Sequence, residues 1–369
     1  FAGSVGGVGR SQSITLSSLA NIYASGANAT AVFTQSVGNT GYGGNIDITL
    51  GNGTLGTAQL VEGGSAASNA VAIQGGLVNT LTNYATLTTS SGINGMTVTG
   101  GIASENVANY GHMSGSMDLG AGANSLDNGP YRSTLNPTPF SGVYDSGSIV
   151  ALGAGNLFTN IGLLSPGAFG RIETTNVTGN YLMTASGSCG SFGSPTSSCG
   201  YLGIDLNLDP TTDRLNVSGT ANLSGAVVVN LMSPGSAQPG YHSSTIVQAG
   251  AGVTNNGLVI QAAQSAIINY SLTTTSNAIN LNYAINFAPW GMTYNQNALG
   301  NSVNGIQLAQ RFNTFSPIAA ALLYQPNTPQ LGYVYNTLTG EGVATSLQTA
   351  FTANDMFMSA PMNQTNMWV

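Results

Sequence analysis

Thr82-Asn83-Tyr84-Ala85-Thr86-Leu87 follows the pattern small residue, Asn, apolar residue, small residue, any residue, apolar residue. The pattern recurs in Ala108-Asn109-Tyr110-Gly111-His112-Met113 and in Thr159-Asn160-Ile161-Gly162-Leu163-Leu164. Its asparagines lie 26 and 51 residues apart, which is one period and nearly two. A period in the middle twenties fits one turn of a three-sided coil, with three strands of about five residues joined by short turns. The repeat predicts an all-β parallel β-solenoid.

Alternation of apolar and polar residues supports this fold. The stretch Asn45-Ile46-Asp47-Ile48-Thr49-Leu50 alternates strictly, so its apolar side chains are predicted to point inward. From about residue 156 the alternation becomes cleaner, and it predicts a strand over 201–208. In that strand Asp205 and Asn207 lie on the face opposite Ile204, Leu206 and Leu208.

The composition favours ladders of polar but uncharged side chains. Charged residues make up 5% of the 369-residue chain, whereas 42% is hydrophobic and 51 residues are Gly. Stacked strands bring side chains of neighbouring turns about 5 Å apart, where amides and hydroxyls are tolerated and like charges are not. Intrinsic disorder is excluded, because it requires low hydrophobicity together with high net charge.

Basic residues are few and scattered. The chain has five, all Arg, against twelve acidic residues. Nucleic acid is therefore excluded as a partner, because binding it requires clustered cations. The Gly-rich stretch Val5-Gly6-Gly7-Val8-Gly9 lacks the strand, helix and acidic partner of a nucleotide fingerprint, so no cofactor is predicted.

The two cysteines, Cys189 and Cys199, stand in a Gly/Ser/Pro-rich run that can turn back on itself. A disulfide is the simplest interpretation, and free thiols are the alternative. Closing so short a loop stabilises a fold by about 2–3 kcal/mol and indicates an oxidising compartment. A metal site is disfavoured because no His lies nearby to complete a tetrahedral set.

The C-terminal part has a different character. Apolar spacing predicts helices over 301–311, 318–324 and 342–358. We therefore expect three parts, a Gly/Asn-rich solenoid over 1–155, a better-patterned solenoid end over 156–290 and a partly helical tail over 291–369.

Five stretches resemble one known family, in the family's own order. Gly155-Asn156-Leu157-Phe158-Thr159-Asn160-Ile161-Gly162-Leu163-Leu164-Ser165-Pro166-Gly167 resembles its rung G-x-L-x-N-x-G-x-L-x-P-G. The others are 177–181 (V-x-G-N-Y), 201–208 (L-x-I-D-L), 213–225 (D-R-L-x-V-S-G-T-A-x-L-x-G) and 335–342, which is similar to a linker written L-S-G-E. The family is the autotransporter (type V secretion) passenger domain, with its C-terminal autochaperone region and linker.

The resemblance covers 155–369, whereas 1–154 match in style alone. It implies a right-handed parallel β-helix whose last turns nucleate folding after export. In the family the linker leads to an outer-membrane β-barrel, which is absent from this sequence and would be the chain's membrane connection. The expected location is extracellular or on the bacterial outer cell surface.

Residues for catalysis or metal binding are not predicted. His112 occupies the repeat position of Thr86 and Leu163, so we interpret it as an ordinary rung residue, and His242 as a surface residue. The stretch 205–216 resembles a calcium loop, but Pro210 replaces the required Gly and Asn216 the required Glu. Strand, turn and turn cap explain its acids equally well.

The predicted function is structural or adhesive rather than enzymatic. The alternative is a β-helix enzyme acting on polysaccharide, with distant carboxylates meeting in a groove. Partners are a surface or a carbohydrate, or further copies of the chain in a filament or biofilm matrix built through solenoid ends or strand addition. Residues 1–13 are a candidate donor strand, although a disordered terminus is the favoured interpretation.

Overall fold

A computed structural model describes residues 2–5 (backbone alone), 12–38, 43–52, 59–130, 142–192, 198–208, 211–309, 315–340 and 347–356. The strands are β1 (Ala2–Val5), β2 (Ile14–Ser18), β3 (Ile22–Tyr23), β4 (Val32–Val37), β5 (Ile46–Leu50), β6 (Leu60–Gly63), β7 (Asn69–Gly75), β8 (Val78–Asn83), β9 (Thr86–Thr89), β10 (Met96–Gly101), β11 (Ser104–Asn109), β12 (His112–Gly120), β13 (Ser125–Asn128), β14 (Val143–Ala151), β15 (Leu157–Asn160), β16 (Leu163–Pro166), β17 (Thr174–Thr178), β18 (Asn180–Met183), β19 (Tyr201–Asn207), β20 (Arg214–Val217), β21 (Ala221–Met232), β22 (Gly240–Ala249), β23 (Val253–Ala262), β24 (Ile268–Thr274) and β25 (Ala278–Ile285). The helices are α1 (Tyr294–Leu308), α2 (Ser316–Leu323) and α3 (Thr328–Leu338).

Strands β1 to β23 form three parallel sheets, because each of them pairs with a strand of the neighbouring turn. The first sheet runs β2, β5, β8, β11, β13, β15, β18, β21, β23. The second runs β3, β6, β9, β12, β14, β16, β19, β21, β23. The third runs β1, β4, β7, β10, β12, β14, β17, β20, β22. The predicted all-β parallel solenoid is confirmed.

Several long strands belong to two sheets and bend between them at a glycine. In β12 the register shifts beside Gly115, where φ is +124°, and in β21 beside Gly225, where φ is +120°. A Cβ atom on Gly225 would lie 2.3 Å from the Gly200 carbonyl oxygen. Only glycine combines this backbone conformation with so close an approach.

The length of a turn varies. The repeated asparagines share one position of the first sheet, as the repeat predicts, and Asn83 and Asn109 are one turn of 26 residues apart. Asn109 and Asn160 are two turns apart, because Asn128 lies between them at separations of 19 and 32 residues. The period in the middle twenties therefore does not hold from turn to turn, since the corners absorb different numbers of residues.

The solenoid core is mostly apolar. Ile46, Ile48 and Leu50 are at most 1% exposed, which confirms their predicted inward orientation. Further along, the ring of Phe158 packs against Tyr144 and Tyr181 of the adjacent turns, at centroid distances of 6.2 and 5.1 Å. Side chains from successive turns thus form continuous internal stacks.

The N-terminal segment takes part in the fold. Strand β1 pairs in parallel with β4 of the same chain, so the interpretation of 1–13 as a disordered terminus is wrong for residues 2–5. Phe1 and residues 6–11 lie outside the described residues.

The chain divides into two compact units. The first comprises 1–232, 242–262 and 270–282 and holds the solenoid; the second comprises 233–241, 263–269 and 283–369. Within the first unit, the backbone N–H groups of Ala249 and Val253 donate to the carbonyls of Asn277 and Ser276 in the turn between β24 and β25. That turn therefore caps the corner of the last coil.

The second unit contains the helices. The predicted helices at 301–311 and 318–324 correspond to α1 and α2, and residues 347–356 are helical within the predicted 342–358. Helix α3 was not predicted, although Asn327 caps it through the Gln330 N–H and Pro329 lies in its first turn. Among the helices that the structure describes, none has the length and apolar character that crossing a membrane requires.

Candidate functional site

A ladder of four buried asparagines runs along the inside of the first sheet. The Nδ2 atoms of Asn83, Asn109 and Asn128 each donate to the Oδ1 atom of the next asparagine at 2.8 Å, and Asn160 ends the row. Each amide also bonds to a backbone group at its corner, as Asn109 does with the Val143 carbonyl at 3.0 Å. The ladder locks the corner of four successive turns and is a structural element.

A second polar column contains a buried carboxylate. Glu105 accepts hydrogen bonds at Oε1 from Asn79 Nδ2 at 3.2 Å and from the Gly101 N–H at 3.3 Å, and its own N–H donates to Asn124. Its Oε2 atom is buried with no hydrogen-bond partner, and its side chain is 0% exposed. Burial raises the pKa of Glu105 to about 7, against which its two hydrogen bonds act.

The acids of the calcium-like stretch cap backbone turns. Asp205 Oδ2 accepts from the N–H groups of Gly170 and Arg171, at 2.6 and 2.7 Å. Asp213 accepts from the N–H groups of Glu173 and Asp205, both at 2.7 Å. Both aspartates are 0% exposed. This geometry gives them the turn-cap role that the sequence indicates for them, and Asp209 and Pro210 lie outside the described residues.

Burial changes the pKa of one of these aspartates, Asp213. Desolvation raises the pKa of Asp213 to about 8, and the negative charges of Asp205 and Glu173 act in the same direction. Glu173 also forms an ion pair with Arg171, whose Nη2 atom lies 3.0 Å from Glu173 Oε2. In the part of the chain that the structure describes, no three His, Cys, Asp or Glu side chains are arranged to hold a metal ion.

A disulfide closes a loop on the outside of the second sheet. It joins Cys189 to Cys199, whose Cα atoms are 5.5 Å apart, and Cys199 pairs in an antiparallel bridge with Ala185. The loop covers an outer apolar cluster, in which Cys199 is buried with Leu163 and Tyr201. Residues 193–197 of the loop lie outside the described residues.

The loop is attached to the sheet at two further points. The ring of Phe192 packs edge-on against Tyr201 at 5.5 Å. Gln261, on β23, accepts from the Phe192 N–H at 2.6 Å and donates to the Gly190 carbonyl at 2.7 Å. The sequence predicts the disulfide but not Gln261, because the two partners lie 69 residues apart.

One histidine contacts an aspartate on the outer face at hydrogen-bond distance. His112 Nε2 lies 2.7 Å from Asp145 Oδ2, with the side chains 42% and 17% exposed. His112 is in β12 and Asp145 in β14, so the pair joins two adjacent turns of the second sheet. The interpretation of His112 as an ordinary rung residue does not identify Asp145 as its partner. His242 is half-buried in β22.

Hydrogen-bonded ladders of hydroxyl and amide groups cover the outer sides of the solenoid. On the first sheet Thr80 donates to Asp47 at 2.6 Å and Ser125 to Asn106 at 2.9 Å. On the third sheet Asn216 donates to Asn176 at 3.0 Å. Such sides offer regularly spaced, mostly uncharged polar groups to a partner, and they are the candidate functional surface.

In comparisons with known proteins, no family model matches the chain and no curated protein matches its sequence.

Proposed function

We propose that the chain is the passenger part of an autotransporter, which acts outside the bacterial cell as a structural or adhesive solenoid. Its working surface is the side of the coil, and its last turns serve as the folding nucleus of the rest.

The placement of the resembling stretches carries this proposal. Residues 155–167 span the corner before β15, then β15 and β16, and residues 177–181 join β17 to β18. Residues 201–208 contain β19, and 213–225 run through β20 into β21. These four of the five stretches therefore occupy consecutive turns near the C-terminal end of the coil, where a nucleus for the preceding turns has to lie. The fifth, 335–342, begins in α3 of the second unit.

The burial of two aspartates supports a structural or adhesive role over the alternative of a polysaccharide-cleaving enzyme. A pair of catalytic carboxylates must reach the scissile bond. Asp205 and Asp213 are instead fully buried and hold backbone N–H groups. The disulfide is consistent with a compartment outside the cytoplasm.

Self-assembly at the N-terminal end of the coil is part of the proposal. The inward side chains of β2, Ile14 and Leu16, are half-buried, whereas Ile46 and Ile48 one turn later are buried. A strand added by another copy would cover the apolar side chains of this first turn. Electron microscopy over a range of concentrations tests for the resulting filaments.

Two deletions of one whole turn test the folding role. Strand register shows that removing 157–179 joins equivalent positions, since Leu157 pairs with Asn180. Removing 79–104 does the same in the N-terminal part, since Asn79 pairs with Glu105. Each chain is fused to an autotransporter's outer-membrane translocator and exposed to protease on intact cells.

We expect the chain lacking 79–104 to reach the surface and resist protease, and the chain lacking 157–179 to be degraded. Nucleation of parallel coils is slow because their contacts are non-local, so loss of a nucleating turn affects all the others. Equal protease resistance of the two variants would contradict the proposal.

A further inference from the structure

One corner of the coil is much longer than its equivalents in other turns. Between the first and the second sheet the chain has two residues at 84–85, at 110–111 and at 161–162, whereas residues 184–200 connect β18 to β19. We call residues 184–200 the disulfide loop. A second long corner, 129–142, precedes the stretches that resemble a folding nucleus, whereas the disulfide loop lies among them. The disulfide loop therefore interrupts the proposed nucleus itself.

The two ends of the disulfide loop pair with each other. Ala185 forms an antiparallel bridge with Cys199, and the Ser186 N–H donates to the Ser198 carbonyl at 2.9 Å. The disulfide between Cys189 and Cys199 crosses the loop beside these contacts. The chain therefore leaves the coil and returns to it at neighbouring points, as it does in a two-residue corner.

The return point of the disulfide loop is joined to the buried asparagine ladder. The Tyr201 N–H donates to the Gly162 carbonyl at 2.7 Å, and the Tyr201 carbonyl accepts from Asn160 Nδ2 at 3.1 Å. Asn160 is the last asparagine of the ladder. Strand β19 can therefore start in its native register only after the loop has brought Tyr201 back to this corner.

The disulfide loop also covers an apolar column on the outside of the second sheet. The register places Leu163, Tyr201 and Ala226 side by side on β16, β19 and β21, which belong to three successive turns. Cys199 is buried in this column with 0% exposure, and Phe192 packs against it. Closing the loop therefore buries apolar surface that three turns share.

We propose that oxidation of Cys189 and Cys199 is the switch that starts folding of the C-terminal turns. In the unfolded chain with two thiols, β18 and β19 are separated by a long connection, and ordering it costs chain entropy. The disulfide removes much of that cost before the strands pair, so the long corner behaves like a short one. The proposal deepens the function above, and it rests on that function for the position of the nucleus.

The reaction is a thiol–disulfide exchange, and its oxidant is a protein or small-molecule disulfide. The two thiols of the chain lose two protons and two electrons as the S–S bond forms, and the oxidant takes them up and becomes two thiols. In the folded chain Cys199 is buried, whereas Cys189 is partly exposed. An external thiolate has to attack Cys189 and release the Cys199 thiolate into apolar surroundings that disfavour it. Folding therefore protects the bond from reduction.

The test compares the folding and unfolding rates of the purified full chain. The oxidised chain and the chain reduced with dithiothreitol are diluted out of urea or into it, and circular dichroism is recorded over time. Cys189→Ala combined with Cys199→Ala reproduces the open loop without a reductant. In a shortened variant the dipeptide Asn-Gly replaces residues 186–198, together with Cys199→Ala. A two-residue type I′ turn then closes the corner next to Ala185.

We expect the reduced chain and the double Ala variant to fold about tenfold more slowly than the oxidised chain. In the chain-entropy model a loop of this size changes the folding equilibrium by about 100-fold, and a half-formed nucleus passes the square root of that factor to the folding rate. The shortened variant should fold as fast as the oxidised chain, with or without reductant. A reduced chain that does not fold at all, beside a shortened variant that does, supports the proposal equally.

Equal folding rates of the oxidised and the reduced chain would overturn the proposal, because the loop would then close only after the nucleus has formed. A shortened variant as slow as the reduced chain would overturn it as well, since the length of the corner would not be what limits folding. These rates are measured on purified protein, so they do not depend on the protease experiment on intact cells. Equal protease resistance in that experiment would remove the nucleus from these turns but leave the difference in rate as measured.

Discussion

Asn109 links three consecutive turns of the solenoid through a single side chain. It accepts from Asn83 and donates to Asn128, both at 2.8 Å, and it is 0% exposed. Asn176 accepts from Asn216 with the same chemistry, but Asn176 is exposed and can exchange its partner for water. The energetic difference between the two ladders lies in desolvation, since a buried amide that loses its partner has nothing to replace it.

Asn109→Ala should therefore destabilise the protein by about 3 kcal/mol, because it leaves several buried groups without partners. Asn176→Ala is the matched control and should cost less than about 0.5 kcal/mol. Urea denaturation followed by circular dichroism measures both. Similar losses for the two variants would show that the buried ladder contributes little.

Glu105 places an ionisable group where the other ladder positions hold amides, and this makes stability depend on pH. Because burial raises its pKa from 4.5 to about 7, the folded state binds more protons than the unfolded state between these values. Its contribution to stability is therefore fully present in acid and is lost as pH rises through about 7.

Glu105→Gln should remove this dependence. Relative to the wild type, the variant should gain about 3 kcal/mol of stability between about pH 4 and about pH 8. Melting midpoints of both proteins across that range provide the measurement. A constant difference between them would mean that the folded and unfolded pKa values of Glu105 are equal.

At the scale of single elements, the bends of the long strands depend on glycine for two separable reasons. Gly225 and Gly257 occupy the same corner in successive turns, with φ of +120° and +95°. Around Gly225 the Gly200 carbonyl fills the space of a Cβ atom, whereas nothing lies within 4 Å of that position on Gly257. The first bend thus has a steric and a conformational requirement, and the second a conformational requirement alone.

Gly257→Ala should cost about 1 kcal/mol through backbone strain, and Gly225→Ala about 3 kcal/mol or more because the neighbouring strand must also move. Thermal unfolding of the two variants compares these values. If Gly257→Ala is the more damaging substitution, close backbone contact is not what fixes the bend.

For the whole molecule, the sequence predicts the architecture and the disulfide, but not which side chains of different turns contact each other. The repeated Asn and the alternation at 46–50 follow from the coil's periodicities, and both are visible locally. Two contacts depend on the register between turns. They are the contact of His112 with Asp145 and the hydrogen bond between Gln261 and the disulfide loop. Register depends on how many residues each corner contains. As a result, the length of a whole turn ranges from 19 residues between Asn109 and Asn128 to 40 residues between Asn180 and Thr220. Helix α3 has a cap that the sequence shows, but the resemblance assigns its last residues, from Tyr335, to a linker.

Stability should also be graded along the coil, since each turn contacts its neighbours alone. The inward residues of β2 are half-buried, whereas Leu206, Leu215 and Leu223 in the later turns are 0% exposed. Hydrogen exchange should therefore be faster for the amides of β2 than for those of β19 to β21. Uniform protection across these strands would indicate unfolding as one cooperative block.

The variable corner length makes the solenoid a carrier for foreign sequence. At Gly155, a corner residue with φ of +81°, nothing lies within 4 Å of where a Cβ atom would be. A guest peptide of about ten residues spliced there would loop away from the coil, at a closure cost that grows slowly with length. An epitope displayed in this way would leave the strands on either side in their native register.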